Sequence, residues 1–370
     1  MPVKRRRAPA ADDANKARDR DRALAERVEA WFASNCRELP WRVRRTGYSA
    51  LVSEAMLQQT QVLRVVDKYI AFMRQFPTVA DLARAPEREV LAAWQGLGYY
   101  GRAKRLHAAA KAVVERFGGR VPSSVEELRT LPGVGPYTAG AIASIVFGKP
   151  EPIVDTNVAR VVMRLDARPG SAAERSSVEW VWRRARELVV LSRSPAAFNE
   201  GLMELGATIC PAGEPACSAC PLSSECAARS RGIATRIPEP AAKPIRKRVY
   251  HHAVVFERGG RVLLVQRPGE GLWSSMWQVP TLEGDDALAP ERVASAIEPK
   301  PHAIELREQF VHHTSHREVV FVVHRGKTRA RTVDGVWVSS EEIASYALSN
   351  PMRSIVNKAW PAATTQGGGR

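Results

Sequence analysis

Apolar residues recur at helical spacing from Ala23 to Phe32. The same period runs through "ALVSEAML" (Ala50–Leu57) and "QVLRVVDKYIAFMRQF" (Gln61–Phe76), interrupted by the polar "QQTQ". Further helices are predicted over "DLARAPEREVLAAWQ" and "GRAKRLHAAAKAVVERF", the second stopped by Gly118 and Gly119. Helical patterning holds to about residue 228. Residues 229–248 then place Pro238, Pro240 and Pro244 among seven Arg and Lys residues, the signature of an exposed linker. Beyond it the pattern turns to strands. "YHHAVVFERGGRVLLVQRP" carries two β-rich runs around Gly259-Gly260, a hairpin signal. "HREVVFVVHRG" and "TVDGVWVSS" add strands, and a short helix opens at Ser340 and Glu341. The first 22 residues show no apolar periodicity and read as a disordered basic arm.

The predicted organisation is therefore an arm (1–22), an all-α domain (23–228), a linker (229–248), an α+β domain (249–360) and a disordered tail (361–370).

Composition narrows the partner. The formal net charge is +16 and the sequence pI is about 10.1. That balance favours a polyanion. No run approaches the roughly 18 apolar residues of a membrane span. No apolar stretch follows the charged start, as a secretory signal would require. Nucleic acid is the expected partner and a membrane is not. A monomer in a bacterial cytoplasm, associated with the nucleoid, is expected, or a nuclear location in a eukaryote.

Four of the five cysteines fall between Cys210 and Cys226, with Cys217 and Cys220 between them, while Cys36 stands apart. A chain of 370 residues can build real cores and does not need disulfide staples. Clustered thiols then point to a metal. The 6-2-5 spacing has only one close pair, which leaves structural zinc and an iron–sulfur cluster both open.

Three stretches could carry chemistry. In "VPSSVEELRTLPGVGPYTAGAIASIVFG", Ser124 and Glu127 form a capping-box pattern for a helix ending near Leu131. Gly133 and Gly135 permit a tight turn into a second helix near Tyr137. Such a hairpin exposes backbone N–H groups suited to a phosphate, although a plain helix–turn–helix has the same pattern. Asp155 stands directly before a helix. Capping alone accounts for that position, and cap hydrogen bonds predict a depressed pKa and a fixed anion. Glu54 has Leu51, Val52, Ala55 and Met56 around it. A carboxyl in such surroundings has a raised pKa and holds a proton near neutrality, while a solvent-facing Glu would fit the same pattern.

"LPWR", "SEAMLQQTQV", "GLGYYGRAKRLH", "LPGVGPYTAGAIAS", "VDTNVARV" and "FNEGLMELGATIC" together resemble, in order, the signatures of the MutY adenine DNA glycosylases. These belong to the helix–hairpin–helix superfamily that includes endonuclease III. The resemblance covers about residues 25 to 228. It implies a helix–hairpin–helix fold with a [4Fe-4S] cluster held by Cys210, Cys217, Cys220 and Cys226. It implies double-stranded DNA as partner, with adenine opposite 8-oxoguanine or G as the target. In this comparison Glu54 matches the acid that protonates adenine N7, and Asp155 the carboxylate facing the oxocarbenium ion. Asn157 matches a polar partner near the sugar. Trp41, Arg42 and Glu200 match positions lining the adenine pocket, and Gln59, Leu97 and Tyr99 match residues inserted into the duplex. Tyr137 stands where bifunctional relatives carry a Schiff-base lysine, so the resemblance implies a monofunctional glycosylase.

The second domain resembles the Nudix-like module of the same proteins. "TLEGDDALAPERVASAIEPK" lacks the Glu-rich metal-binding helix of a working Nudix hydrolase, which implies a lesion reader. In "HHTSHRE", Ser315 and His316 match the loop that senses 8-oxoguanine, with Thr314 in place of the family's Phe. Trp273 and Trp277 are expected to pack the core. Two other readings remain. An endonuclease III-like glycosylase/lyase is disfavoured by Tyr137 and by the second domain. A noncatalytic iron–sulfur DNA-binding sensor is disfavoured by the presence of both Glu54 and Asp155.

Overall fold

The first helix, α1 (Ala11–Asn35), begins inside the stretch expected to be a disordered arm. Its polar residues find partners far along the chain, which local periodicity does not reveal. Asp21 is 9% exposed and accepts from Arg184 Nη2 at 2.6 Å, and Arg20 Nη2 donates to the Glu225 carbonyl at 3.0 Å. The computed structural model describes residues 11–241, 245–314, 316–330 and 332–359. The expected tail over 361–370 lies outside the described residues. Among the described residues no helix is long and apolar enough to cross a membrane.

Two compact units emerge, the first within residues 1–84 and 108–242, the second within 85–107 and 243–370. Residues 85–107, read from the sequence as part of the helical domain, thus group with the second unit.

After α1 come α2 (Pro40–Val43), α3 (Gly47–Leu57), α4 (Val62–Gln75), α5 (Val79–Arg84), α6 (Glu87–Ala93) and α7 (Gly101–Phe117). The hairpin pair α8 (Val125–Leu128) and α9 (Pro136–Ala141) follows, and α9 runs on as a π-helical turn over Ile142–Val146. Then come α10 (Thr156–Leu165), α11 (Arg175–Val189), α12 (Pro195–Thr208) and α13 (Ala227–Ser230). The core of this unit joins Leu24 and Val28 of α1 to Val158, Val162 and Leu165 of α10 and to Phe198 and Leu202 of α12.

The predicted linker starts too early. Ile237 is buried against Met163, Val181 and Ala228, and its carbonyl accepts from Arg164 Nε at 2.7 Å. Glu239 N donates to the Gly170 carbonyl at 3.0 Å. A few apolar side chains among prolines and bases, Ile233, Ala234 and Ile237, fasten this stretch, and composition does not register them.

The second unit holds a mixed sheet of β1 (Lys247–Arg258), β2 (Arg261–Gln266), β3 (Trp277–Gln278), β4 (Thr281–Gly284), β5 (Ala303–His313), β6 (Arg317–Lys327) and β7 (Val336–Val338). The order is β3-β2-β1-β6-β5, with β4 on β1 and β7 on β2. Central β1 and β6 run parallel. Ala253, Val255 and Phe321 pack on one face with Met352, Ile355 and Val356 of a helix over Asn350–Ala359. Val254, Phe256 and Leu263 pack on the other with Val293 of a helix over Pro290–Ala296. Both faces are covered, which accounts for the continuous apolar runs at 253–256 in β1 and 319–323 in β6. The β1–β2 hairpin turns at Gly259 and Gly260, both at positive φ, as the dipeptide predicts. Trp273 and Trp277 pack against this core, as expected.

Candidate active site

A cavity of about 910 Å³ opens in the first unit, lined by α2, α3, the turn after it, the hairpin, the start of α10 and one face of α12. Each wall has a local cause. Thr46 and Ser49 cap α3 reciprocally, at 3.0 Å and 2.8 Å, so that helix begins at Gly47 and carries Glu54 one turn before its end. Ser124 caps α8 by accepting from Glu127 N, but the Glu127 carboxylate accepts from the Ser124 hydroxyl at 2.9 Å rather than from its backbone N–H, and the helix ends at Leu128, short of the expected Leu131. Gly133 (φ +79°) makes the turn to α9, which starts at Pro136 behind the N-cap Gly135. Gly206 lets α12 touch the beginning of α10. A Cβ there would come within 2.6 Å of Asn157 Cβ and 2.9 Å of its carbonyl oxygen.

Glu54 is 7% exposed, and its Oε2 is buried without a hydrogen-bond partner. Burial pushes its pKa up to about 7; a Tyr137 hydrogen bond pulls the other way, and repulsion from Asp155 and Glu200 raises it further. Of the two readings the sequence left open, the fold gives the buried carboxyl and not the solvent-facing one. Tyr137 donates to Met203 Sδ at 3.6 Å, and burial between the two carboxylates raises its phenol far above the ordinary value.

Asp155 is the N-cap of α10. Its Oδ1 accepts from Val158 N at 2.7 Å and its Oδ2 from Asn157 Nδ2 at 2.9 Å. Here the expectation of a depressed pKa fails. Burial raises the carboxyl above its ordinary value, outweighing the hydrogen bonds from Val158 and Asn157. The cap is local and visible in the sequence; the walls that desolvate it come from elsewhere in the chain.

Trp41, Arg42, Gln59, Gly133, Gly135, Tyr137, Asn157 and Glu200 all line the same cavity as Glu54 and Asp155. Trp41 stands edge-on to Tyr69, ring centroids 5.5 Å apart. Arg42 lies between two carboxylates, donating to Glu200 Oε1 at 3.0 Å and to Glu204 Oε2 at 3.0 Å. Arg45 pairs with Glu200 Oε2 at 2.6 Å, and Arg37 makes a two-pronged contact with Glu204.

Glu204, 1% exposed, was not foreseen, although Glu200 and Glu204 sit one turn apart on an otherwise apolar helix. Burial would raise Glu204, but hydrogen bonds from Arg37 and Arg42 hold it below the ordinary range. Asn199 was also missed. It accepts from Ile153 N at 3.3 Å and donates to the Glu151 carbonyl at 2.8 Å, fixing the extended segment that leads to Asp155. Arg160 joins Asn157 Oδ1 (2.8 Å) to the Cys210 carbonyl (2.7 Å). No motif spacing announces these Asn199 and Arg160 contacts.

The remaining expected residues lie in the second unit. Tyr99 is 55% exposed, whereas Leu97 is 4% exposed. Of the two, only Tyr99 projects from the surface. His316 is exposed beside a turn that Thr314 closes, Oγ1 accepting from Arg317 N at 3.0 Å. Ser315 lies outside the described residues.

The four clustered cysteines form no disulfide. Burial pushes the Cys220 thiol up to about 11, and Cys210, Cys226 and Cys217 each raise it further, so the four sulfurs feel one another. Arg164, almost wholly buried, donates to Cys210 Sγ at 3.2 Å and to the Pro211 carbonyl at 2.8 Å. Among the described residues no group of three or more His, Cys, Asp or Glu is gathered as a site for a metal ion.

Comparison with known proteins follows the same division. Residues 52–185 match the HhH-GPD superfamily of base excision DNA repair proteins, and residues 251–358 match the NUDIX domain. The chain is 34% identical to human adenine DNA glycosylase over 88% of its own length and 72% of that protein's. It is 45% identical to the adenine DNA glycosylase of Mycolicibacterium smegmatis over 55% of its length and 69% of the relative's. Among solved structures it is similar to a thermostable thymine-DNA glycosylase, with 28% identity and a TM-score of 0.51, covering 58% of this chain and 99% of that one.

Proposed function

The chain belongs to the adenine DNA glycosylase family, the MutY proteins, and from that membership we propose that it removes adenine paired with 8-oxoguanine, or with G, in duplex DNA. It is a hydrolase, an adenine-specific DNA N-glycosylase of base excision repair, and DNA is its partner.

The observation that carries the mechanism is the buried, unpartnered Oε2 of Glu54 facing a cavity that also holds Asp155. A stacked base cannot be reached, so adenine is flipped out of the helix into this cavity. Glu54 delivers its proton to N7, which turns a poor leaving group into a neutral one. The glycosidic bond breaks toward an oxocarbenium ion, and Asp155, oriented by Val158 N and Asn157, supplies the opposing negative charge. The hairpin glycines leave backbone N–H groups open to a phosphate. Tyr137 lacks the amine needed for a Schiff base, so the DNA backbone stays whole.

Incubation with duplexes carrying adenine opposite 8-oxoguanine tests both points. Base loss without strand scission is expected, the breaks appearing only after alkali. Scission without alkali, or excision of an oxidised pyrimidine instead, would favour the endonuclease III-like reading.

The four thiols fit a [4Fe-4S] cluster. Four half-buried thiols lie within seventeen residues and none is in a disulfide, a donor set of the kind that holds an iron–sulfur cluster. Cys210, Cys217, Cys220 and Cys226 would hold it, with Arg164 fastening the loop. Such a cluster would shape the loop; the base-removing chemistry belongs to Glu54 and Asp155. Natively prepared protein is expected to be brown, with about four irons per chain. Stoichiometric zinc in such protein would overturn this assignment.

A further inference from the structure

Tyr99 sits at the end of a short loop, Gly96 to Tyr99, that is held in an unusual shape. Gly96 and Gly98 have φ of 93° and 71°, and Tyr99 itself has φ 48°. A tyrosine in the left-handed region is strained, and such strain persists only where surrounding contacts over-determine it. The first residues of α7 supply those contacts. Arg102 is 4% exposed, and its Nη2 donates to the Leu97 carbonyl at 3.1 Å and to the Gly98 carbonyl at 3.1 Å. Its guanidinium lies 5.4 Å from the Trp94 ring and 5.6 Å from the Tyr99 ring. Trp94 Nε1 donates to the same Gly98 carbonyl at 3.1 Å, and Arg102 N to the Tyr99 carbonyl at 2.8 Å. One buried cation thus reaches two carbonyls of the loop and the face of its exposed ring.

We propose that Arg102 is a positioning residue that holds the Gly96–Tyr99 loop so that the Tyr99 ring stands ready to enter the DNA duplex, with Leu97 as the buried anchor of the loop. The proposal rests on the reading of Tyr99 as a duplex-inserting residue. It reassigns Leu97 from insertion to anchoring, in accord with its burial. A guanidinium suits this task because Nη2 alone reaches both carbonyls while the planar group lies against the Trp94 and Tyr99 rings, a stacking that the compact ammonium of lysine does not reproduce.

The test is a double-mutant cycle of Arg102→Met and Tyr99→Leu. Its readout is the ratio of single-turnover excision rates for adenine opposite 8-oxoguanine and opposite G. Extrusion of 2-aminopurine, placed as the target base, is followed by fluorescence as a second readout. Arg102→Met is expected to lower the ratio and the extrusion signal by about tenfold in the Tyr99 background, the size of coupling seen between touching residues. In the Tyr99→Leu background it is expected to change neither by more than about twofold. A purely structural role for Arg102 would lower both backgrounds alike, and that additivity overturns the proposal. Arg102→Lys keeps the charge and covers the case in which the Met variant does not fold. It is expected to show the same Tyr99-dependent loss, and wild-type behaviour from it sinks the idea. Failure of the underlying reading has a different signature: Tyr99→Leu alone would then leave extrusion and the ratio unchanged.

Discussion

Glu54→Gln is expected to bind duplex DNA as the wild type does and to slow adenine excision by at least about 100-fold. Gln keeps the shape of Glu but carries no acidic proton, and general acid catalysis alone contributes roughly 100- to 10,000-fold. The pH profile gives a second signature. With a pKa of about 7, Glu54 is protonated below neutrality and ionised above it. The wild-type rate should therefore fall as pH rises through about 7, and the residual rate of the variant should lack that limb. Single-turnover assays read the chemical step without interference from product release. A variant that excises within about threefold of wild type, less than the smallest effect of a general acid, would show that Glu54 is not the acid.

The same substitution should change stability in a pH-dependent way. The folded-state pKa of Glu54 lies above its ordinary 4.5, so between pH 4.5 and about 7 the native protein binds more protons than the unfolded chain. Stability contributed by the protonated carboxyl is full below 4.5 and is lost as pH rises through about 7. At most roughly 3 to 4 kcal/mol is involved, since each pKa unit corresponds to about 1.4 kcal/mol. Glu54→Gln removes the titration. Measured by denaturant unfolding, its stability relative to wild type should improve from pH 5 to pH 8. The site is thus held against the preference of the fold, as expected of a carboxyl kept in an apolar wall for its proton.

Such a wall was legible in part. Leu51, Val52, Ala55 and Met56 suggest apolar surroundings for Glu54 from within one helix, but the same pattern fits a solvent-facing Glu, and only the fold decides between them. The hairpin glycines and the caps at Ser124 and Asp155 were equally local. What remained hidden depends on segments far apart in the chain. Arg42 is held by Glu200 and Glu204 from α12, more than 150 positions away. The wrong sign for the Asp155 pKa has the same origin, since a cap is written in four consecutive residues and desolvation is not. The helical state of Arg20 and Asp21 escaped because their partners, Glu225 and Arg184, lie far along the chain and no local apolar stripe announces them. Leu97 and Tyr99 show a further limit of motif reading: the family motif assigns both to the duplex, and only the fold distinguishes the packed Leu97 from the exposed Tyr99.

Asp155→Asn is the other substitution expected to act strongly, and its signature differs from that of Glu54→Gln. Asn caps helices about as well as Asp, so α10 should keep its start and the protein its fold. The variant loses only the negative charge that faces the developing cation. Removing one such fixed electrostatic partner slows catalysis by roughly 100- to 1,000-fold, and a loss of that size is expected at pH 7 with duplex affinity unchanged. A rate within about threefold of wild type, or a parallel loss of binding, would remove Asp155 from the chemistry and leave it as a cap. In the wild type, Asp155 must be ionised, so the rate should fall at acidic pH, with a limb displaced upward from the ordinary 3.8 by burial. Asn abolishes that limb. The charge of Asp155 also helps to raise Glu54, so its removal should let the Glu54 pKa fall. The alkaline limb of the residual activity is therefore expected to move to lower pH, a shift that a simple loss of packing would not produce. Combined with Glu54→Gln, the two defects should be less than multiplicative, because both carboxyls act on one transition state.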